Sequence, residues 1–233
     1  MNKRQSGFTL IEIAIVLVII GLLLGGVLKG QELITSARVR NLISMQDGIK
    51  AAYFGFLDRY RALPGDYAQA TTNINNVSTG SGCGPAASVG NGNGDGQILG
   101  IATSANENIL AWEHLSKSGF MNGSYTCAAA ASGTSAPTNP FGGYFDLLYD
   151  NGYADAAATP GTRHVLKTGS NIGSDLLAEI DRKVDDGNPL QGSYRGQRTG
   201  TGITPANCYN TAATPPAWIS ASPSTTCGGV TLY

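Results

Sequence analysis

A chain of 233 residues, 42% hydrophobic and only 13% charged, is long enough for one domain of ordinary size plus an additional segment. Its net charge of −1 and its scattered Lys and Arg residues leave no basic stripe of the kind a phosphate backbone demands, so nucleic-acid binding finds no support. Four cysteines without a CxxC pair, and no His at zinc-ligand spacing, argue against metal-thiolate and thioredoxin-like chemistry.

The first element is apolar. Phe8 to Leu28 carry a single charge, Glu12, and a helix needs about 20 apolar residues to cross a bilayer core. Lys3 and Arg4 precede it, so the positive-inside bias predicts a cytoplasmic N-terminus and an exported remainder. A secretory signal would have a shorter apolar region, about 7–15 residues, ending in a small-residue cleavage site. Here the apolar run passes directly into a helical pattern. Glu12 is the anomaly, because a carboxylate within a membrane helix costs about 2.5–3.5 kcal/mol on insertion scales and is usually matched to a partner. The competing reading is a residue at the membrane edge that reaches water. A cut between Gly7 and Phe8 would place a new α-amino group four residues before Glu12. A neighbouring copy displaced along a common axis then brings its Glu12 to that ammonium, and two costly charges satisfy each other only on assembly.

At these residues the sequence acquires a family likeness. GFTLIEIAIVLVIIGLL resembles the N-terminus of type IV pilins and type II secretion pseudopilins: a short basic leader ending in Gly, then Phe-Thr-Leu-Ile-Glu and an apolar helix. The resemblance implies an inner-membrane prepilin peptidase that cleaves after Gly7 and N-methylates Phe8. It also implies that Glu12 contributes to insertion and register of the subunit in a filament, and that an assembly platform protein and an ATPase are partners. Many major pilins carry a helix-kinking proline where this chain has Lys29.

The second element continues the first. Leu42, Met45, Ile49, Tyr53, Phe56, Tyr60 and Leu63 recur at steps of three and four and define one face of a helix, with Arg40, Gln46, Asp47, Lys50 and Asp58 opposite. Pro64 and Gly65 stop it, so an unbroken helix would run from Phe8 to Ala62. Gly21, Gly25, Gly26 and Gly30 lower its helix propensity. They either let helices approach closely or reflect the general abundance of glycine in membrane helices.

Beyond Pro64 the expectation is an exported α+β domain. SANENILAWEHLSKSGF predicts a short helix with a Ser104–Glu107 capping box, an apolar stripe at Ile109, Trp112 and Leu115, and Gly119 as terminator. YFDLLYDNGY places an Asn-Gly turn near two β-prone runs, and RHVLK, Arg163 to Lys167, reads as a strand. SDLLAEIDRKV, Ser174 to Val184, reads as a second helix that DDGNP ends, with Asp185, Asp186 and Gly187 as turn residues. The order LPGD, GNGNGDGQI, AWEHLSKSGF and EIDRKVDDGNPLQG is also similar to a subgroup of prepilin-type proteins.

GNGNGDGQI has a further reading. Asn91, Asn93 and Asp95 alternate, Gly96 permits a sharp turn and the Gln97 carbonyl can face inward, as in the first half of an EF-hand loop. Position twelve would be Ala102, so the second half fails, and Glu107 is the remaining candidate ligand for Ca²⁺. Calcium sites occur in some pseudopilins. The competing reading is an Asx-rich turn whose side chains bond their own backbone, with no cofactor. All four cysteines lie beyond the apolar segment, which fits disulfides formed outside the cytoplasm. Of three connectivities, sequence neighbours suggest Cys83–Cys127 and Cys208–Cys227; four buried free thiols are the alternative.

The sequence therefore predicts an α+β architecture: a long N-terminal helix, transmembrane in its first half, packed on a small antiparallel sheet domain with long loops and two short helices. The divisions are a leader at 1–7, a membrane and filament-core helix at 8–28, its amphipathic continuation at 29–63 and a globular domain at 64–233. The expected role is a structural subunit of a type IV pilus-like filament, starting as a single-pass inner-membrane precursor and ending in an extracellular pilus or periplasmic pseudopilus. A type II secretion pseudopilin or a minor pilin is the alternative, and a membrane-anchored periplasmic binding module a remoter one. No nucleophile elbow, HExxH, P-loop or dinucleotide fingerprint occurs, and His114 and His164 read as structural, so an enzyme is not expected.

Overall fold

The computed structural model describes residues 10–79, 90–100, 106–157 and 159–233. Helix α1 runs from Leu10 to Tyr60 as one α-helix, through Lys29 and all four glycines of its apolar half. It stops two residues before the expected end because Arg61 adopts a left-handed conformation, φ 53°. The Arg61 N–H still bonds the Leu57 carbonyl at 2.9 Å, which closes the last turn. The chain forms two compact units, Met1–Arg40 and Asn41–Tyr233.

In the second unit, residues 41–60 of α1 lie against an antiparallel sheet. Strands β1 (Asp146–Asp150), β2 (Arg163–Lys167), β3 (Tyr194–Gly196) and β6 (Gly229–Leu232) pair in the order β1-β2-β6-β3. Val165 is opposite Leu232 across β2 and β6, and Tyr194 is opposite Thr231 across β3 and β6. All four residues of β6 are buried, as a strand with neighbours on both sides and a helix above it should be. Short strands β4 (Tyr209–Asn210) and β5 (Ala217–Trp218) form a separate two-stranded ladder. Near them the Cys208–Cys227 disulfide joins residues 19 apart in sequence.

The predicted apolar face of α1 is the face that packs: Leu42, Ile49, Tyr53 and Phe56 are buried. One expected polar residue departs from the pattern. Gln46 is 5% exposed, and its Nε2 donates to Thr231 Oγ1 on β6 at 3.4 Å. It lies four residues after Leu42 and three before Ile49, so helical geometry places it on the packed face despite its polarity. The other polar positions, Arg40, Asp47, Lys50 and Asp58, are exposed.

Three shorter helices complete the fold: α2 (Ala70–Asn73), α3 (Glu107–Lys117) and α4 (Ser174–Val184). The single turn α2 had no sequence signal. Helix α4 and strand β2 match their expected bounds. Helix α3 starts differently, with Asn106 as N-cap in a left-handed conformation, φ 47°. Glu107 is then the first helical residue and not the third, which corrects the capping-box reading; Ser104 is outside the described residues. Gly119, φ +81°, follows the helix end as predicted. The Asn-Gly pair at 151–152 makes no tight hairpin. Tyr153 instead bridges to Gln197, leaving a longer connection before β2.

Candidate functional site

Two regions carry the residues singled out by sequence, one in each unit. In the first, Gly7 and Phe8 are outside the described residues, and Glu12 sits in the first turn of α1. The following turns expose large apolar side chains all round, from 91% at Leu10 to 46% at Ile20. The segment is long and apolar enough to cross a membrane. A soluble unit rarely leaves such a surface uncovered. A Cβ added at Gly21, Gly25, Gly26 or Gly30 would meet nothing within 4 Å, so each pair spaced by four leaves an open strip on the helix. Lys29 pairs with Glu32 at 2.6 Å, an exposed i,i+3 contact that contributes little.

In the second unit, the LPGD, GNGNGDGQI and AWEHLSK segments converge. Helix α3 is buried on every side from Glu107 to Leu115, so its polar residues point into protein as well as its apolar ones. Each is matched to backbone groups of a loop. Glu107 accepts the N–H of Asn93 at 3.1 Å and of Leu99 at 3.0 Å. Glu113 accepts Ser78 N–H at 2.8 Å, Ser78 Oγ–H at 2.7 Å and Cys127 N–H at 2.9 Å. His114 Nδ1 accepts Gly65 N–H at 3.0 Å, which leaves Nε2–H to donate to the Gly90 carbonyl at 3.1 Å. Burial holds the His114 pKa down at about 4, so the ring is neutral and both nitrogens are committed. Two glycines are required here. A Cβ at Gly65, φ +89°, would lie 2.3 Å from the Glu107 carbonyl oxygen, and one at Gly92 would lie 2.2 Å from the Asp66 backbone.

Asp66 organises the loop between these pieces. Its Oδ1 accepts Gly94 N–H at 2.6 Å and Asp95 N–H at 3.1 Å, and its Oδ2 accepts Gly96 N–H at 2.8 Å. The candidate calcium ligands therefore face donors. Asn91 Oδ1 accepts Thr71 N–H at 2.8 Å. Asn93 Oδ1 accepts Asp95 N–H at 2.9 Å, and Asp95 Oδ1 accepts Gln97 N–H at 2.8 Å, which are Asx-turn bonds. The Gln97 N–H thus ties its residue into the same turn. Among the described residues no three His, Cys, Asp or Glu side chains converge as a metal set. Burial, reinforced by the Asp66 and Asp95 charges, lifts the Glu107 pKa to about 7 against its two backbone hydrogen bonds; burial also raises that of Asp66.

A similar arrangement follows α4. Asp181 accepts Trp218 Nε1–H at 2.7 Å, and Asp185 accepts the N–H groups of Ser193 and Tyr194. Asp186 caps the Asn188 N–H at 2.8 Å, and Gly187 takes φ +79°, so this stretch is a turn as read from sequence. Of the cysteines, Cys127 is buried and Cys83 is outside the described residues. Sequence reasoning missed Asp66, Glu113 and Asp181 as loop-holding carboxylates. The available hint for Asp66 and Glu113 was their placement, directly after Pro-Gly and beside a tryptophan, while Asp181, between Ile180 and Arg182, carried none.

Compared with known protein families, residues 2–28 match the prokaryotic N-terminal methylation motif. No curated protein and no solved structure matches the chain significantly.

Proposed function

We propose that this chain, whose first residues carry the signature of type IV prepilins and pseudopilins, is a structural subunit of a type IV pilus-like filament. The observation that carries the reading is the coincidence of that motif with a helix segment whose apolar side chains are exposed from Leu10 to Leu28. Such a surface is satisfied first by lipid and then by like helices of other copies. Prepilin peptidase cuts between Gly7 and Phe8 and methylates Phe8. A platform protein and an ATPase then draw the subunit out of the inner membrane. Glu12 of one copy meets the Phe8 ammonium of the next, which fixes axial register as each subunit enters. Identical head-to-tail contacts that do not close generate a fibre, and the second unit supplies its outer surface.

Lys29 favours a second reading within the same class. With no proline at this position and α1 continuous through it, the subunit also suits a pseudopilus of a type II secretion system, or a minor place in a pilus. Both readings share one test. The full-length chain is expressed with and without prepilin peptidase, and the N-terminus of the product is determined by mass spectrometry. A mature chain starting at methylated Phe8, recovered from sheared fibres, is the expected result. An intact Met1 in cells with active peptidase overturns both readings. A dominant band in the sheared fraction assigns the pilus, and absence of the chain from it assigns the pseudopilus.

A further inference from the structure

The pair Asn-Gly occurs four times in the sequence, at 91–92, 93–94, 122–123 and 151–152. In such a pair the backbone nitrogen of the glycine can attack the side-chain carbonyl carbon of the asparagine, because no Cβ stands in its way. Three of the four nitrogens are engaged. Gly92 N–H donates to the Tyr67 carbonyl at 3.0 Å, and Gly94 N–H to the Asp66 carbonyl at 3.0 Å and to Asp66 Oδ1 at 2.6 Å. Gly152 N–H donates to Asp150 Oδ1 at 2.9 Å. The Asn91 and Asn93 side chains are tied as well, to Thr71 and Asp95, and Gly92 and Gly152 are buried. The fourth pair has none of these restraints. Asn122, Gly123 and Ser124 are exposed, outside any helix or strand. Among the described residues the Gly123 N–H has no acceptor, and the Asn122 side chain makes no hydrogen bond.

We propose that Asn122 is a site of spontaneous modification, converted to a mixture of aspartate and isoaspartate with its own chain as the nucleophile. The Gly123 nitrogen bonds to Asn122 Cγ, and the Cγ–Nδ2 bond breaks. The proton of the attacking nitrogen passes through water to the departing amide, which leaves as ammonia. Water then opens the succinimide ring: cleavage at Cγ gives aspartate, and cleavage at the backbone carbonyl gives isoaspartate. The chain gains one water and loses one ammonia, with no change of oxidation state. At the other three pairs a hydrogen bond must first open, so conversion there is limited by local unfolding. Asn122 lines an apolar groove of about 290 Å³ with Met45, Ile49, Phe120, Met121 and Tyr125, and none of the residues lining that groove is charged. The new carboxylate is therefore uncompensated at its lip, and the change does not reverse. An old chain thus presents a more polar groove than a new one. The chemistry needs only the second unit and does not depend on the filament reading.

The test is peptide mapping by mass spectrometry of the full-length chain in detergent micelles, kept warm in mildly alkaline buffer and sampled over weeks. In the folded chain, Asn122 should gain the mass of exchanging NH₂ for OH at least tenfold faster than Asn91, Asn93 or Asn151. Its product should contain both aspartate and isoaspartate, told apart by electron-transfer fragmentation. In urea, where all four glycine nitrogens are released, the four rates should converge. An unmodified Asn122 in the folded chain, or conversion at another pair that matches or exceeds it, overturns the proposal. So does aspartate without isoaspartate, which marks direct hydrolysis with no ring. A difference between sites that persists unchanged in urea also overturns it, because hydrogen bonding is then not its cause.

Discussion

Replacing Asp66 by Asn tests whether one carboxylate holds the loop at residues 93–97. The wild-type side chain accepts three N–H groups, from Gly94, Asp95 and Gly96. An amide keeps one acceptor oxygen for Gly94 and Asp95 and turns an NH₂ toward Gly96. A bond to an ionised acceptor is worth about 1.5–3 kcal/mol, a neutral one about 1, and orphaning a buried N–H costs about 1–3. Two weakened bonds and one orphaned donor amount to about 3 kcal/mol on those values. Removing a buried charge that repels Glu107 and Asp95 returns about 1 kcal/mol, near the worth of one pKa unit. The net expectation is a loss of about 2 kcal/mol, read by urea unfolding of the full-length chain in detergent micelles. Fluorescence of the buried Trp112 and Trp218 reports the transition. The pH dependence adds a second reading. The folded-state pKa of Glu107 is raised to about 7, so its contribution is full when it is neutral at low pH and is lost as pH rises through that value. Asn at position 66 removes one of the charges that raises it, so the gap between variant and wild type should be wider at pH 5 than at pH 8. Equal stability of the two proteins at pH 7, or a gap that widens with pH, would refute the carboxylate-staple account.

Four further outcomes are expected. Glu12→Ala should leave membrane insertion and cleavage intact but deplete the chain from sheared fibres, measured by immunoblot of membrane and sheared fractions; normal fibre yield removes the Glu12–Phe8 pairing. Phe56→Ala, at a fully buried position ringed by Tyr60, Tyr67, His114 and Phe120, should cost about 3–5 kcal/mol in the same urea assay. The double variant Cys208→Ser, Cys227→Ser should lose about 3 kcal/mol, the chain-entropy value for a loop of this size. His114, whose folded pKa is lowered from 6.5 to about 4, gives stability that is present above pH 6.5 and is lost as pH falls toward 4. That loss is about 3 kcal/mol at 1.36 kcal/mol per pKa unit, and His114→Gln should flatten this acid limb of a stability-versus-pH curve.

The elements that sequence revealed are those specified by their own residues. The Leu42, Ile49, Tyr53, Phe56 spacing is enough to orient α1, and RHVLK and SDLLAEIDRKV delimit β2 and α4 because pattern and punctuation agree there. The N-terminal motif was legible for the same reason, since Glu12 is anomalous within its own segment. What sequence did not show depends on partners far along the chain. Asp66 has meaning only beside Gly94, Asp95 and Gly96, and Glu113 only beside Ser78 and Cys127. Gln46 was assigned to the polar face because polarity was allowed to outvote spacing, and Thr231 reversed that assignment. Glu107 looked like the third residue of a capping box, and it is instead the first residue of α3, where it accepts two loop amides.

The position of β6 governs the order in which the second unit can be completed. It is the last of the four sheet strands in chain order, yet it lies between β2 and β3. Until it inserts, both neighbours present unpaired backbone edges, the state most open to wrong pairing between chains. For a chain made one segment at a time, this leaves the second unit vulnerable until β6 has joined the sheet. The Cys208–Cys227 link ends two residues before β6 begins. By tethering that approach it narrows the search of the strand for its slot. Formation of the link thus acts on the speed and fidelity of sheet closure as well as on final stability, and a chain in which it has not formed should linger as an open, aggregation-prone sheet.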